Sequence, residues 1–340
     1  MPETIELKNT SMPTLIRFHR TGGPEVLQYD EVPAAPLHEG EVRLKVEAIG
    51  LNRAEVMFRE GHYIEEPVFP SIIGYEAAGI IEEVGPGVGD FKPGDRAASI
   101  PSFSMRQYGA YGDSVVLPAS AMIETPANFS SVEAAASWMQ FFTAFMIIEF
   151  GGMKAGDNVL ITAAASSVGL AAIQLANAVG ARPIATTRKK DKVQALLDAG
   201  ASAVIDTSES DLVEEAKRLT GGTGPRIIFD PIVGPQLAAL CEAAAPSADI
   251  FLYGALDPRP APYPLFTALG KNLTLRSYTL GLIVGNPERL ERAKTWILQR
   301  IATGALKPKI ARVFPFAQMV EAHRFMESNE QVGKIVVTVP

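Results

Sequence analysis

Val159-Leu-Ile-Thr162, Ala163-Ala-Ala-Ser-Ser-Val-Gly169, Leu170-Ala-Ala-Ile-Gln-Leu-Ala176 and Pro183-Ile-Ala-Thr-Thr187, followed by Arg188-Lys-Lys190, decide the fold. Val159 to Ile161 is a short apolar run of the kind that forms a buried parallel strand. Ala163 to Ser167 and Gly169 are small enough for the backbone to approach a pyrophosphate at the N-terminus of the next helix. The register is Ala164-x-Ser166-x-x-Gly169, so only the last glycine of the strict G-x-G-x-x-G pattern is present. Apolar residues from Leu170 through Ile173 and Leu175 to Val179 predict a buried crossover helix that ends at Gly180. Pro183 to Thr187 reads as the second strand of a nucleotide-binding βαβ unit. Candidate phosphate ligands are Ser166, Ser167, Val168 and Gly169. An NAD site places an acid about 20 residues past the turn, whereas a cation there receives the 2′-phosphate of NADP. Thr187, Arg188, Lys189 and Lys192 occupy that stretch and no acid precedes Asp191, which predicts NADPH as cofactor.

At 340 residues and 47% hydrophobic, the chain is long enough for two cores. A net charge of -7 argues against a nucleic-acid or anionic-membrane surface and leaves small molecules or further copies of the chain as partners. The single cysteine, Cys241, permits no intrachain disulfide and fits a cytoplasmic location. Met1 to Pro13 lacks the apolar core of a secretory signal and reads as a frayed extension; no run is apolar enough to span a bilayer.

Outward from the βαβ unit, Thr14 to about Pro126 shows short strands punctuated by Gly and Pro, with period-two alternation in Val42 to Ile49 and a strand at Ala77 to Val84. A helix is expected over Ser131 to Phe150. Short apolar strands follow near Val204-Ile205, Ile227 to Phe229 and Ile250 to Tyr253, and their alternation with helices predicts a doubly wound parallel sheet. Pro287 to Ala302 reads as an amphipathic helix and Gly333 to Val339 as a last strand returning to the first domain.

Gly50-Leu-Asn-Arg-Ala-Glu55, Gly74-Tyr-Glu-Ala-Ala-Gly79, Val84-Gly-Pro-Gly87, Phe91-Lys-Pro-Gly-Asp-Arg96, Ala163 to Ala176 and Gly333-Lys-Ile-Val-Val337 occur in the order and spacing of one family. The chain resembles the medium-chain dehydrogenase/reductase superfamily, in its zinc-free, quinone oxidoreductase-like branch, along nearly its whole length. The resemblance implies an α/β fold: a GroES-like β-rich catalytic domain, 1–137 with 279–340, and a Rossmann domain, 138–278, with the ligand cleft between them. It implies Thr143 facing the nicotinamide, Asp230 beside the cofactor, and Gly254 and Ala255 at its ribose. Leu273 to Tyr278 resembles the edge strand through which relatives form homodimers, and pairing would cover an otherwise open edge.

Zinc-dependent members carry a cysteine where this chain has Asn52 and a histidine where it has Tyr75, and neither replacement is a usual zinc ligand. His19, His38, His62 and His323 have no ligand spacing, so no metal is expected. Without a Lewis acid, an activated acceptor is the easier substrate: a quinone or an α,β-unsaturated carbonyl takes hydride at carbon while a hydrogen-bond donor stabilises its oxygen. By resemblance, Asn52 lies near the nicotinamide or substrate and Tyr63 bonds the substrate oxygen. A turn-stabilising amide and a tyrosine at a domain edge are the plain alternatives for these two. The expected function is NADPH-dependent reduction of a quinone or enone; a zinc-free NADP-dependent alcohol or aldehyde dehydrogenase and a non-catalytic NADPH-binding sensor are the competing readings.

Overall fold

The computed structural model describes residues 12–340. Most of the expected N-terminal extension lies outside these residues, but Pro13 is buried and its carbonyl accepts from Val32 N at 2.9 Å. Six parallel strands form one sheet in the order Ala203–Asp206, Arg182–Thr187, Asn158–Ile161, Ile227–Asp230, Asp249–Leu252, Thr274–Ser277. This is the doubly wound order with its reversal beside Asn158–Ile161, where such sheets open a crevice at the strand C-termini. The crossover helix is Ser167–Val179, capped by Ser166 at one end and by Gly180 in the left-handed region at the other.

The second sheet is built mainly from antiparallel strands. Glu41–Gly50, Glu76–Val84 and Arg96–Ser99 form its middle, with Met122–Glu124 on one side and Lys334–Thr338 and Ile310–Pro315 on the other. The expected in-out alternation of Val42 to Ile49 is not found: this strand is buried on both faces over most of its length, because other elements cover each side. One apolar core runs between the two sheets, from Ala48, Ala78 and Ala98 through Trp138, Phe141 and Phe142 to Val159, Ile161 and Phe229. The amphipathic helix Pro287–Ala302 closes this core with Ala293, Ile297 and Ile301.

The single helix expected over Ser131 to Phe150 is two helices, Ser131–Ala135 and Trp138–Glu149. Ser137 donates its hydroxyl hydrogen to the Glu133 carbonyl at 2.6 Å, a local bond that competes with helix continuation. The break restarts the helix at Trp138, so Met139 N is one of the orphan donors of a first turn.

A buried hydrogen-bonded chain staples the antiparallel half. The Arg59 guanidinium, which has only donors, lies 3.2 Å from His323 Nδ1; that nitrogen therefore accepts and the ring hydrogen sits on Nε2. Nε2 is 3.1 Å from Tyr111 Oη, whose own hydrogen goes to Glu55 Oε2 at 2.6 Å. Gly74, at φ +103°, makes the space: a Cβ there would lie 2.1 Å from the Tyr111 ring. The chain ties Arg53–Glu60 to Met319–Glu327.

Burial, helped by Arg59, pushes His323 down to about 3. The imidazole stays neutral in the fold, while the unfolded chain takes up a proton below its ordinary value near 6.5. The stability this neutral ring contributes is present above that value and lost as pH falls toward 3. Unfolding free energy from urea titrations should therefore fall on acidification by as much as about 1.4 kcal/mol per pH unit from this group. His323→Gln should flatten that slope, and identical slopes would refute the assignment.

Candidate active site

The carboxyl ends of the parallel strands bring the expected cofactor residues to one edge. After Ile161 the chain turns through Ala163, at φ +45°, and enters the helix at Ser167. Ser166 Oγ accepts from Gly169 N at 3.1 Å, so the cap leaves other first-turn amides, among them those of Ser167 and Val168, free of side-chain partners. A Cβ on Gly169 would fall 2.6 Å from Ala164, which is how closely the helix approaches the turn. These amides, with the positive end of the helix dipole, make an anion seat.

Thr187 is buried at the end of its strand and its Oγ1 accepts from Lys189 N at 3.1 Å; Arg188 and Lys189 stand exposed beside it. The Lys192 ammonium donates to the carbonyls of Asn329 and Gln331, each at 2.9 Å, and burial lowers its pKa. It holds the C-terminal segment onto the parallel-sheet half, leaving Arg188, Lys189 and Lys190 as the exposed cations of the run. Asp230 is fully buried, which pushes its carboxyl up, and four donors oppose the shift: Thr162 Oγ1, Ile232 N at 3.2 Å, Val233 N at 2.7 Å and Gln236 Nε2 at 3.0 Å. Its role in this geometry is to shape the loop that follows. Gly254 and Ala255 are exposed, and a Cβ on Gly254 would meet Pro231 O at 2.7 Å. Thr143 is buried in Trp138–Glu149, one turn beyond Met139.

On the other wall, Asn52 caps Arg53–Glu60, and Glu55 reaches back to accept from Asn52 N at 2.7 Å. Asn52 Nδ2 lies 3.0 Å from Glu55 Oε1, 3.1 Å from Glu76 Oε2 and 3.3 Å from Gly50 O, while Oδ1 accepts from the Lys334 ammonium at 2.6 Å. Both amide hydrogens are thus committed inside the protein, and Asn52 has none left for a ligand. Glu55 receives two further hydrogens, from Tyr75 N at 3.0 Å and from Tyr111; burial raises its pKa, and the bonds from Tyr111 and Asn52 oppose that rise.

Tyr75 donates its hydroxyl hydrogen to Tyr63 Oη at 3.4 Å, and among the described residues no acceptor takes the Tyr63 hydrogen. The two rings meet edge to face with centroids 6.5 Å apart, and Phe58 and Phe103 extend the aromatic wall. Burial raises both phenols, which keeps them protonated donors. His62 next to them is exposed. The donor set does not fit zinc. Among the described residues no three His, Cys, Asp or Glu converge on a metal position, and the Lys334 ammonium beside Asn52 Oδ1 would repel a second cation.

Sequence reasoning passed over Glu55, Glu76 and Lys334, all three fully buried or nearly so. Each carried a signal. Glu55 stands three residues after Asn52, the spacing of a capping box, and Glu76 and Lys334 are charges directly preceding apolar runs.

Residues 38–127 match the model of the alcohol dehydrogenase GroES-like domain and residues 167–299 that of the zinc-binding dehydrogenases. The chain is 32% identical over 334 residues to quinone oxidoreductase 1 of Escherichia coli (strain K12), across 95% of this chain and 98% of that protein. It is 30% identical over 335 residues to the synaptic vesicle membrane protein VAT-1 homolog of Rattus norvegicus, across 93% of this chain and 81% of the relative. The crystal structure of Escherichia coli quinone oxidoreductase complexed with NADPH superimposes with a TM-score of 0.87 at 31% identity, over 96% of this chain and 99% of that one. Strand order, the paired sheets and whole-length identity agree: the chain belongs to the zinc-independent, quinone oxidoreductase-like family of medium-chain dehydrogenases/reductases.

Proposed function

We propose that this protein reduces quinones or α,β-unsaturated carbonyls with NADPH and without zinc. The observation that carries this reading is the uncommitted hydroxyl hydrogen of Tyr63 on a wall where Lys334 fills the charge position beside Asn52. NADPH, when bound, supplies the hydride. The first-turn amides of Ser167–Val179 receive its pyrophosphate, and Arg188 and Lys189 its 2′-phosphate. Thr143 borders the nicotinamide. Tyr63 O–H points its hydrogen at the oxygen of a conjugated acceptor, which gains charge as hydride arrives at carbon, and Tyr75 donates into Tyr63 to support that polarity. An unactivated ketone needs stronger polarisation than one phenol supplies, which disfavours the alcohol dehydrogenase reading.

A homodimer through Thr274–Ser277 accompanies this reading. That strand is the outer one of its sheet and largely exposed, and the preceding helix presents Leu265, Phe266 and Leu269, with Phe266 87% exposed. Open edges and apolar patches of this kind are covered in stable proteins. Sedimentation should give twice the mass of the 340-residue chain; Leu275→Pro, which removes an edge donor, should give the single mass, and a monomeric parent protein would refute the pairing.

Oxidation of NADPH, followed by the absorbance of its reduced nicotinamide, across quinones, enones, aldehydes and ketones tests the activity. Turnover confined to quinones and enones is expected, and Tyr63→Phe should lower kcat by about 100-fold. Turnover of aldehydes and ketones alone, or binding without any turnover, would overturn it. Arg188→Ala should weaken NADPH far more than NADH; equal losses would remove Arg188 from the 2′-phosphate site.

A further inference from the structure

The Lys334 side chain is 1% exposed and Glu76 is 0% exposed, and the two form an ion pair. Removing two charges from water costs several kcal/mol per ion, so the arrangement persists only where the remaining polar atoms are also satisfied. Here they are. Glu76 Oε2 accepts from Lys334 and from Asn52 Nδ2, and Oε1 accepts from Met139 N at 2.8 Å. Lys334 donates its second hydrogen to Asn52 Oδ1. Gly50 is the space the pair needs: a Cβ there would sit 3.1 Å from Lys334 Cε and 1.9 Å from Ala135 O.

The partners belong to different parts of the site. Asn52 lies at the start of the helix below Tyr63. Met139 is in the first turn of the helix that carries Thr143 four residues later, so both lie on one helix face. Gly333, adjacent to Lys334, donates its N–H to Ala165 O at 3.0 Å, inside the phosphate turn. One buried ion pair therefore touches the substrate wall, the nicotinamide helix and, through one residue, the pyrophosphate seat.

We propose that Glu76 and Lys334 are positioning residues that set the separation between the substrate wall at Asn52 and the nicotinamide end of the cofactor at Thr143. The inference rests on the reading that Thr143 and the Ala163–Gly169 turn hold NADPH. It assigns neither residue to contact with substrate. The pair acts through what it holds.

The test is NADPH titration into the parent protein and the Glu76→Gln/Lys334→Met double variant, reading affinity and the emission of the bound nicotinamide together. Replacing both charges removes the ion pair whole and leaves Glu55 held by its hydrogen bonds from Asn52, Tyr75 and Tyr111, so the double variant should fold with a Tm near the parent's. It should bind NADPH with nearly unchanged affinity, because Arg188 and the helix amides are untouched. Its nicotinamide emission should lose most of the enhancement seen in the parent complex. Its kcat should fall about 100-fold, the scale of a misplacement near 1 Å, with the primary isotope effect from 4-deuterated NADPH rising. Parent-like emission and isotope effect in the folded double variant would overturn the proposal, since a structural pair leaves both unmoved. An unenhanced parent complex would overturn it too. If the double variant does not purify, Lys334→Arg keeps the charge but displaces Asn52, and the same emission decides. A parent protein that holds the nicotinamide but reduces no acceptor refutes the reductase reading alone, because emission still decides the role of the pair.

Discussion

The buried contact among Lys334, Glu76 and Asn52 is the constraint on which the arrangement of this molecule depends. Three strands and two helices meet there, and each arrives with a requirement. Gly50 must lack a side chain, the helical segment after Ser130 must break so that Met139 N is free, and the last strand must begin with a lysine. Each feature is unfavourable or neutral in isolation. Together they satisfy two buried charges, and the low local dielectric that makes an unpaired charge costly makes the completed network strong.

Around this joint the two halves divide the chemistry. The parallel sheet delivers an anion seat by geometry alone, since strand ends and a helix N-terminus converge on one edge whatever the side chains are. Specific side chains act at its margins, where Arg188 and Lys189 stand exposed and Asp230 is consumed in shaping a loop. The antiparallel half supplies a wall of phenols whose burial keeps them neutral donors. The His323–Tyr111–Glu55 chain holds that wall from behind, with a histidine that burial prevents from charging.

Much of this was legible along the chain. Alternating apolar runs and helical periods placed the parallel strands within a residue or two, and the expected helix Pro287 to Ala302 has the observed bounds. Local errors had tertiary causes. Val42 to Ile49 shows a period that its environment does not honour, because elements packed on both sides bury nearly every position. The helix break after Ala135 was hidden because Ser137 is an ordinary helical residue until its hydroxyl takes the Glu133 carbonyl. Lys192 reads as one more cation in a basic run, and only the fold brings the carbonyls of Asn329 and Gln331 to it across more than a hundred residues.

The sequence by itself determined the fold class, the small-residue turn before the crossover helix and the absence of a cysteine and histidine at Asn52 and Tyr75, because periodicity, small-residue turns and residue chemistry act over short distances. Tertiary structure alone decided which polar groups are free. Asn52 and Tyr63 are both hydrogen-bonding side chains when read in line, yet the fold spends the Asn52 hydrogens on two carboxylates and leaves that of Tyr63 unspent. Whether a donor serves the protein or a ligand depends on partners distant in the chain, and no local pattern encodes them.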